Sequence, residues 1–348
     1  MMKKTFGING FGRIGRTSLR VWWQYYRDQA DLKVINTSGS MEVEDWAHLL
    51  KYDTNYGVFG SEVRAERHQS KDEVSDENPV LGTITLDGNY SMTVLAQRDP
   101  NKIPWGQHGV QAVIEATGVF VTEEKAAQHL AGGAETVIIS APAKGEGVST
   151  AIVGVNNFDS NNKVRSNASC TTNCVAPVAQ LMVRHFGVEK AMLTTIHAYT
   201  DDQNTQDNSH KDLRRARSAA ENIIPTTTGA AKATAEVVPE LQGLFDGLAM
   251  RVPVRTGSIS DMVFLVRREV TIEAVNQVFI NAAQEEKWQN ILAVTHEPLV
   301  SSDIVGRRES SIVDLNFTNV IGGNLVKVVS WYDNEWGYCN RLIEQVWG

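Results

Sequence analysis

A cysteine set among small hydroxyl residues is poorly accounted for by core packing. In the run 166–174, SNASCTTNC, Cys170 stands between Ser169 and Thr171-Thr172, and every hydroxyl buried beside it would need a hydrogen-bond partner. Those residue types suit a nucleophile. If a helix starts just after Cys170, the unpaired N–H groups of its first turn stabilise a thiolate and can hold a developing oxyanion. A thiolate that attacks a carbonyl also needs a proton acceptor nearby. His197, in the run 194–202, TTIHAYTDD, offers an imidazole for that role. Taken singly, Cys170 also reads as a small buried hydrophobe and His197 as a hydrogen-bonded core histidine, and local spacing does not separate the two readings.

Such a pair must be held by larger elements, and the chain supplies two kinds. Thr5 to Asn9 is short and partly apolar, and Gly10-Phe11-Gly12-Arg13-Ile14-Gly15 follows at once, so the pattern is strand, tight turn, helix start. In a dinucleotide fingerprint the first glycine permits the turn and the second lets the backbone approach a pyrophosphate. The third lets helix and strand pack closely, with phosphate at the helix N-terminus. Trp22, Trp23, Tyr25 and Tyr26 on the following helix read as core or subunit contact. Further strands are expected at Leu32–Ile35, Val110–Glu115, Thr136–Ser140 and Thr150–Val155. Thr83–Leu95 is expected to form a hairpin around Asp87-Gly88, and residues 60–82 a charged, irregular surface excursion without chemistry. Alternating strands and helices to about residue 166 predict a Rossmann-type, doubly wound parallel sheet. Beyond Cys170, longer apolar strands at Ala191–Ile196, Leu248–Val254, Ser258–Arg267 and Leu325–Trp331, with a helix at Glu273–Glu285, predict an α+β catalytic domain on a mixed sheet. The expected division is 1–168, 169–334 and a C-terminal helix, 335–348, returning to the first domain.

With 348 residues the chain is long enough for two domains, and its 42% hydrophobic and 21% charged content is that of a globular protein. A formal net charge of −8 speaks against a nucleic-acid partner. Three cysteines, at 170, 174 and 339, make neither a disulfide framework nor a zinc site, so no metal is expected; no membrane-spanning run is present, and the expected location is cytoplasmic. Cys174, one helical turn beyond Cys170, reads as a packing residue, with an oxidised Cys170–Cys174 pair as the lesser alternative.

The two site motifs, SNASCTTNC and HAYTDDQ, resemble the glyceraldehyde-3-phosphate dehydrogenase family. So do GINGFGRIGR (7–16), HLLKYDT (48–54), SAPAK (140–144), HKDLRRAR (210–217), IIPTTTGAAKA (223–233), AMRVPV (249–254) and SWYDNEWGY (330–338), all in family order. The resemblance implies oxidation of glyceraldehyde 3-phosphate with inorganic phosphate and NAD or NADP, Cys170 as nucleophile and His197 as base. It implies Ser169, Thr171, Thr228 and Gly229 for the attacking phosphate and Thr200, Asp202 and Arg251 for the substrate phosphate. Asp202 is expected to orient a donor, and Arg215 could serve either anion. The implied cofactor set is Gly10, Phe11, Gly12, Arg13, Ile14, Asn36, Thr37, Arg98, Thr117, Gly118, Ser140, Ser209, Asn334 and Tyr338, with Asn334 against the nicotinamide carboxamide. Family members form homotetramers, and the same is expected here.

Where dinucleotide-binding folds usually carry an acidic residue at the end of the second strand, this chain has Asn36-Thr37. A 2′-phosphate would meet no fixed negative charge there and would find hydroxyl donors. Together with Ser209 and Arg98, this tilts the expectation towards NADP, although no arginine stands at 37 or 38. Two alternative functions are an erythrose-4-phosphate dehydrogenase, which shares SNASCTTNC, and a redox-sensing binding protein on the same fold.

Overall fold

The computed structural model describes residues 3–156 and 161–347. The chain divides into two units, one of Met1–Ala151, Phe158–Ala168 and Cys339–Gly348, the other of Ile152–Asn157 and Ser169–Tyr338. The first carries β1 (Lys4–Asn9), α1 (Arg13–Tyr25), β2 (Ala30–Asn36), α2 (Val43–Lys51) and a small ladder of β3 (Tyr52–Asp53) and β4 (Gly57–Val58). There follow β5 (Val63–Arg67), β6 (Val80–Leu86), β7 (Tyr90–Leu95), β8 (Ala112–Glu115), α3 (Glu123–Ala126), α4 (Gln128–Ala131), β9 (Thr136–Ile139), β10 (Ser149–Thr150) and β11 (Val164–Ser166).

Nine of these strands form one sheet in the order β10-β11-β9-β8-β1-β2-β7-β6-β5. All neighbours from β10 to β7 are parallel, while β6 and β5 join antiparallel. Parallel strands covered on both faces read as continuous apolar runs. β8, buried at all four positions, and β9, buried from Val137 to Ile139, do so. The expected hairpin is β6–β7, turned at Asp87 and Gly88, both with positive φ (49° and 69°).

Two expectations need correction. The 60–82 excursion contains β5, which alternates small and charged residues because it is the sheet's outer strand, where charge discourages pairing with other chains. The strand expected at Thr150–Val155 is confined to β10; Ile152–Val155 forms a turn closed by the Val155 N–H on the Ile152 carbonyl.

α1 turns its aromatic stripe inward. Trp22, Trp23 and Tyr26 are buried, and the Trp22 indole donates to the Ala30 carbonyl at 2.7 Å. The Tyr26 hydroxyl donates to Asn340 Oδ1 at 2.9 Å, which ties the end of the chain to this unit.

The second unit carries α5 (Cys170–Phe186), β12 (Val188–Ala198), β13 (Ile224–Thr227), α6 (Ala230–Val237), β14 (Phe245–Val252), β15 (Ser258–Val266), α7 (Ile272–Ala282), β16 (Leu292–Thr295), β17 (Ser311–Asp314), β18 (Asn319–Ile321) and β19 (Leu325–Tyr332). α8 (Trp336–Glu344) leads out of it. Its mixed sheet runs β13-β14-β12-β15-β19-β17-β16, with β18 on β19. α5 packs on β12, β15, β17 and β19 and touches both α6 and α7, which puts the three helices on one face. β12 and β14 run parallel, with His197 opposite Arg251 in the register. Among the described residues no helix is long and apolar enough to cross a membrane.

Candidate active site and nucleotide site

Cys170 is the first residue of α5. Ser169 caps the helix, its hydroxyl accepting from the Thr172 N–H at 3.0 Å, so the chain is forced from extended to helical geometry at the cysteine. The preceding residue, Ala168, is buried at φ 51°, a left-handed conformation unusual for a residue with a Cβ, and its N–H is held by Ser166 Oγ at 3.0 Å.

His197, near the end of β12, brings Nε2 to 3.3 Å from Cys170 Sγ. Its Nδ1 lies 2.7 Å from the Ala198 carbonyl, which calls for a proton on Nδ1, but the same nitrogen faces a guanidinium that can only donate, which calls for a lone pair there, so these neighbours pull the tautomer in opposite directions. Arg251, from β14, places Nη1 2.8 Å from the same Nδ1 and donates to the Ala198 carbonyl at 3.1 Å. Burial, and then the Arg251 charge, push His197 down to about 3. Burial raises the Cys170 thiol, against the opposing pull of Arg251, the Thr171 hydroxyl and the N–H groups at the helix start. Both shifts favour the uncharged forms, a thiol and an imidazole nitrogen 3.3 Å apart.

Thr171 is buried, and its hydroxyl lies 2.9 Å from that of Tyr332, which is equally close to Thr195 Oγ1. Thr171 thus faces inward, towards the thiol and Tyr332. Tyr332 and Thr195 were not singled out by the sequence motifs; the alternation of β12 and β19 put both on the inward face beside His197, and that was the available signal.

Around Arg251 lies a charge cluster. The Thr200 hydroxyl donates to Asp202 Oδ1, Arg215 Nη1 lies 2.6 Å from Asp202 Oδ2, and Arg251 Nη2 is 3.9 Å from Asp202 Oδ1. Burial tends to raise the Asp202 carboxyl, but Thr200 and the two arginines outweigh it and hold it below the usual range. Arg215 also donates to Thr226 Oγ1 at 2.7 Å. The buried Nε of Arg251 has no hydrogen-bond partner among the described residues. A guanidinium so placed suits an anion. Thr228 and Gly229 stand where α6 begins, the Thr228 hydroxyl accepting from the Ala230 N–H at 3.2 Å and Gly229 bordered by open space.

Asn334, after β19, accepts at Oδ1 from the Gly257 N–H (3.2 Å) and the Ser258 hydroxyl (2.8 Å), which orients its amide nitrogen as a donor. Tyr338 is buried in α8, and Ser209 is exposed on the 200–223 loop. Cys174 is fully buried between Ser311 and Ser330, and burial pushes its thiol up to about 12.

In the other unit, the Gly10–Gly15 turn has the geometry a dinucleotide needs. Gly10 takes φ 93°, and a Cβ there would stand 2.8 Å from the Ala116 and Thr117 backbone. A Cβ on Gly15 would come within 2.1 Å of the Gly10 carbonyl, whereas none would touch anything at Gly12. α1 starts at Arg13, so the N–H groups of Arg13 and Ile14 belong to its first, anion-binding turn. The side chains of two expected contacts are engaged elsewhere. Phe11 is buried against Trp46, and the Arg13 guanidinium forms a two-pronged pair with Asp53 at 2.5 and 3.0 Å.

Beneath the turn, Glu115 accepts from Asn9 Nδ2 at 2.5 Å, the Thr117 N–H at 2.8 Å and His129 at 3.0 Å, and Asn36 donates to Asn9 Oδ1 at 2.7 Å. Gly118 turns the chain at φ 72°, and Ser140 follows β9, its N–H on the Glu115 carbonyl. Thr37 is also buried. Its hydroxyl donates to the Leu95 carbonyl at 3.1 Å and accepts from the Gly39 N–H at 3.2 Å. The hydroxyl donor expected at this strand end therefore points into the protein. Arg98 is exposed, and its Nε donates to the Ser38 carbonyl at 3.1 Å. Among the described residues no group of three or more His, Cys, Asp or Glu could hold a metal ion.

Comparison with known proteins agrees with both halves. Residues 4–123 match the model of the glyceraldehyde 3-phosphate dehydrogenase NAD binding domain, and residues 169–334 that of the C-terminal domain. The chain is 50% identical over 341 residues to a glyceraldehyde-3-phosphate dehydrogenase of Streptomyces coelicolor, covering 97% of this chain and 96% of the relative. It is 47% identical to that of Geobacillus stearothermophilus over the same shares of the two chains, and 45% to the chloroplastic B protein of Pisum sativum, with 98% and 73% covered. From the turn at Gly10 to the cysteine–histidine pair and its arginine, the chain belongs to the glyceraldehyde 3-phosphate dehydrogenase family.

Proposed function

We propose that this chain is a phosphorylating glyceraldehyde-3-phosphate dehydrogenase that forms 1,3-bisphosphoglycerate through a thioester on Cys170. The observation that carries the mechanism is the 3.3 Å approach of Cys170 Sγ to His197 Nε2. As Sγ bonds to the aldehyde carbon, the thiol proton passes to His197 Nε2, and the imidazolium returns it to the new alkoxide, giving a hemithioacetal. His197 then takes the hydroxyl proton as the C–H hydride leaves. The bound dinucleotide supplies the hydride acceptor.

Arg251 holds the substrate phosphate, and Arg215 and Thr200 line the same anion site, with Asp202 orienting both. Ser169, Thr171, Thr228 and Gly229 surround the attacking phosphate, Thr171 acting through its backbone and its hold on Tyr332. Gly10, Gly12 and the first turn of α1 cradle the pyrophosphate. Thr117, Gly118 and Ser140 line the same groove, and the Asn334 amide nitrogen donates to the nicotinamide carboxamide. Tyr338 backs that contact. Of the two cofactors NADP is favoured, because no carboxylate stands at the end of β2 and Arg98 lies beside Ser38. The inward turn of Thr37 puts more of that preference on Arg98 and Ser209. Leu213 and Ile223, 81% and 70% exposed on the 200–223 loop, support burial of that loop in a homotetramer, and three cysteines that form no disulfide among the described residues support a cytoplasmic setting.

Reduced nicotinamide is followed with glyceraldehyde 3-phosphate, with and without phosphate, and with NADP or NAD. Phosphate-dependent turnover, lost in Cys170→Ser, is expected, with kcat/KM at least about tenfold higher for NADP. Equal turnover without phosphate, or greater turnover of erythrose 4-phosphate, would refute the assignment; preference for NAD would refute the cofactor reading alone.

A further inference from the structure

The inward-facing hydroxyl of Thr37 leaves a question about what a 2′-phosphate would meet. Beyond the end of β2 lies a cavity of about 260 Å³ whose walls include Ser38 and Gly39, Gln97 and Arg98, and the loop that joins β5 to β6. That loop, residues 68–79, is part of the charged excursion, and it is anchored. Glu42, which caps α2, accepts from the Lys71 N–H and the Ser70 hydroxyl, each at 3.1 Å. Gln69 Nε2 donates to the Asn78 and Val80 carbonyls, and Asp76 accepts from Gln97 Nε2 at 3.0 Å and from Lys102.

Three charged groups of this chain line the cavity: Lys71, Arg98 and Asp76. Asp76 is neutralised by Lys102, whose ammonium is its direct partner. Arg98 has no carboxylate partner among the described residues; its Nε donates to the Ser38 carbonyl. Lys71 pairs with Asp72 at 3.2 Å, but Asp72 is a solvent-exposed neighbour on the same loop, and such pairs are weak. The cavity thus offers two cations from separate segments next to the strand end where dinucleotide-binding folds discriminate a ribose hydroxyl from a phosphate. A phosphate carrying nearly two charges would compete with Asp72 for Lys71.

We propose that the 68–79 loop completes a 2′-phosphate subsite, with Lys71 as its second cation beside Arg98, so that cofactor choice is set by this loop rather than by the hydroxyl of Thr37. The proposal rests on the dinucleotide reading of the Gly10–Gly15 turn and on the preference for NADP.

The test is calorimetric titration of the full-length protein with adenosine 2′,5′-bisphosphate and with 5′-AMP, which needs no turnover. In Lys71→Ala the dissociation constant for the bisphosphate should rise about tenfold, the scale of one charge-assisted contact, while that for 5′-AMP stays within about twofold. Lys71→Arg should keep most of the wild-type affinity, showing that charge is what matters. If the wild type prefers the bisphosphate and Lys71→Ala binds it unchanged, the loop proposal fails while the NADP reading stands. If the wild type binds the two ligands alike, the NADP reading fails and the loop proposal with it.

Discussion

Replacing Arg251 with glutamine should raise the proton affinity of both reacting groups at once. The guanidinium Nη1 lies 2.8 Å from His197 Nδ1, and its charge disfavours the imidazolium while favouring a thiolate at Cys170. Unit charges about 4 Å apart interact by about 4 kcal/mol at an effective dielectric constant near 20, an upper bound of roughly three pKa units. Arg251 is 15% exposed and Asp202 opposes its charge, so a rise of about one to two units at His197 is expected. Burial, the larger cause, still keeps the group below its ordinary 6.5. The assay is twofold: titration of the His197 ring by NMR, and the pH dependence of Cys170 alkylation by iodoacetamide, which reports the thiolate. In Arg251→Gln the ring should titrate higher, and alkylation at pH 8 should slow by about tenfold for each unit that the thiol rises. Inorganic phosphate added to the wild type should mimic both effects by neutralising Arg251, so that substrate binding itself readies the base. If both titrations stay within about 0.3 units in the variant, the charge of Arg251 does not reach the pair and the argument fails.

Three further outcomes follow from the same geometry. Because His197 titrates lower folded than unfolded, its contribution to stability is complete above 6.5 and is lost as pH falls from there towards about 3. Urea unfolding from pH 6 to 4 should therefore show a slope shallower by about 1.4 kcal/mol per pH unit in His197→Asn than in the wild type, and equal slopes would contradict a buried neutral imidazole. Gly15→Ala puts a Cβ within 2.1 Å of the Gly10 carbonyl and should cost about 1–3 kcal/mol of stability and most dinucleotide affinity, measured by melting and by titration with NAD and NADP. With the native protein, Ellman's reagent should modify Cys170 and leave Cys174 and Cys339 unreacted until unfolding; a fast second thiol would contradict their burial.

What could be read from the sequence was local. The Gly10-x-Gly12-x-x-Gly15 turn, the hairpin at Asp87-Gly88 and the helix start at Cys170 each depend on neighbours within a few residues, so pattern and turn chemistry place them. What could not be read depends on contacts between distant residues. The Thr37 hydroxyl turns inward because the Leu95 carbonyl of β7 is there to receive it, and Thr171 does so because Tyr332, 161 residues away, is there. Neither partner leaves a mark at the threonine itself. Arg13, expected in the cofactor set, is drawn to Asp53 for the same reason. β5 escaped notice because an outer strand needs only one partner and can carry charge on its residues. The protonation state of the central pair was equally hidden, since it follows from burial and from an arginine on another strand.

The facing positions of His197 and Arg251 in the β12–β14 ladder also act as a ruler. In the proposed mechanism, the backbone anchors of the base and of the phosphate-binding arginine are held by ladder hydrogen bonds at the spacing of adjacent strands, about 4.8 Å. Side-chain changes at either end can loosen the grip but cannot lengthen that span. Sliding one strand by a single residue would turn its side chain to the opposite face, so intermediate lengths are closed to small mutational steps. Under the proposed mechanism, the number of carbons tolerated between aldehyde and phosphate is thereby tied to the sheet, and a variant selected for longer sugar phosphates would have to find its new anion site on a loop.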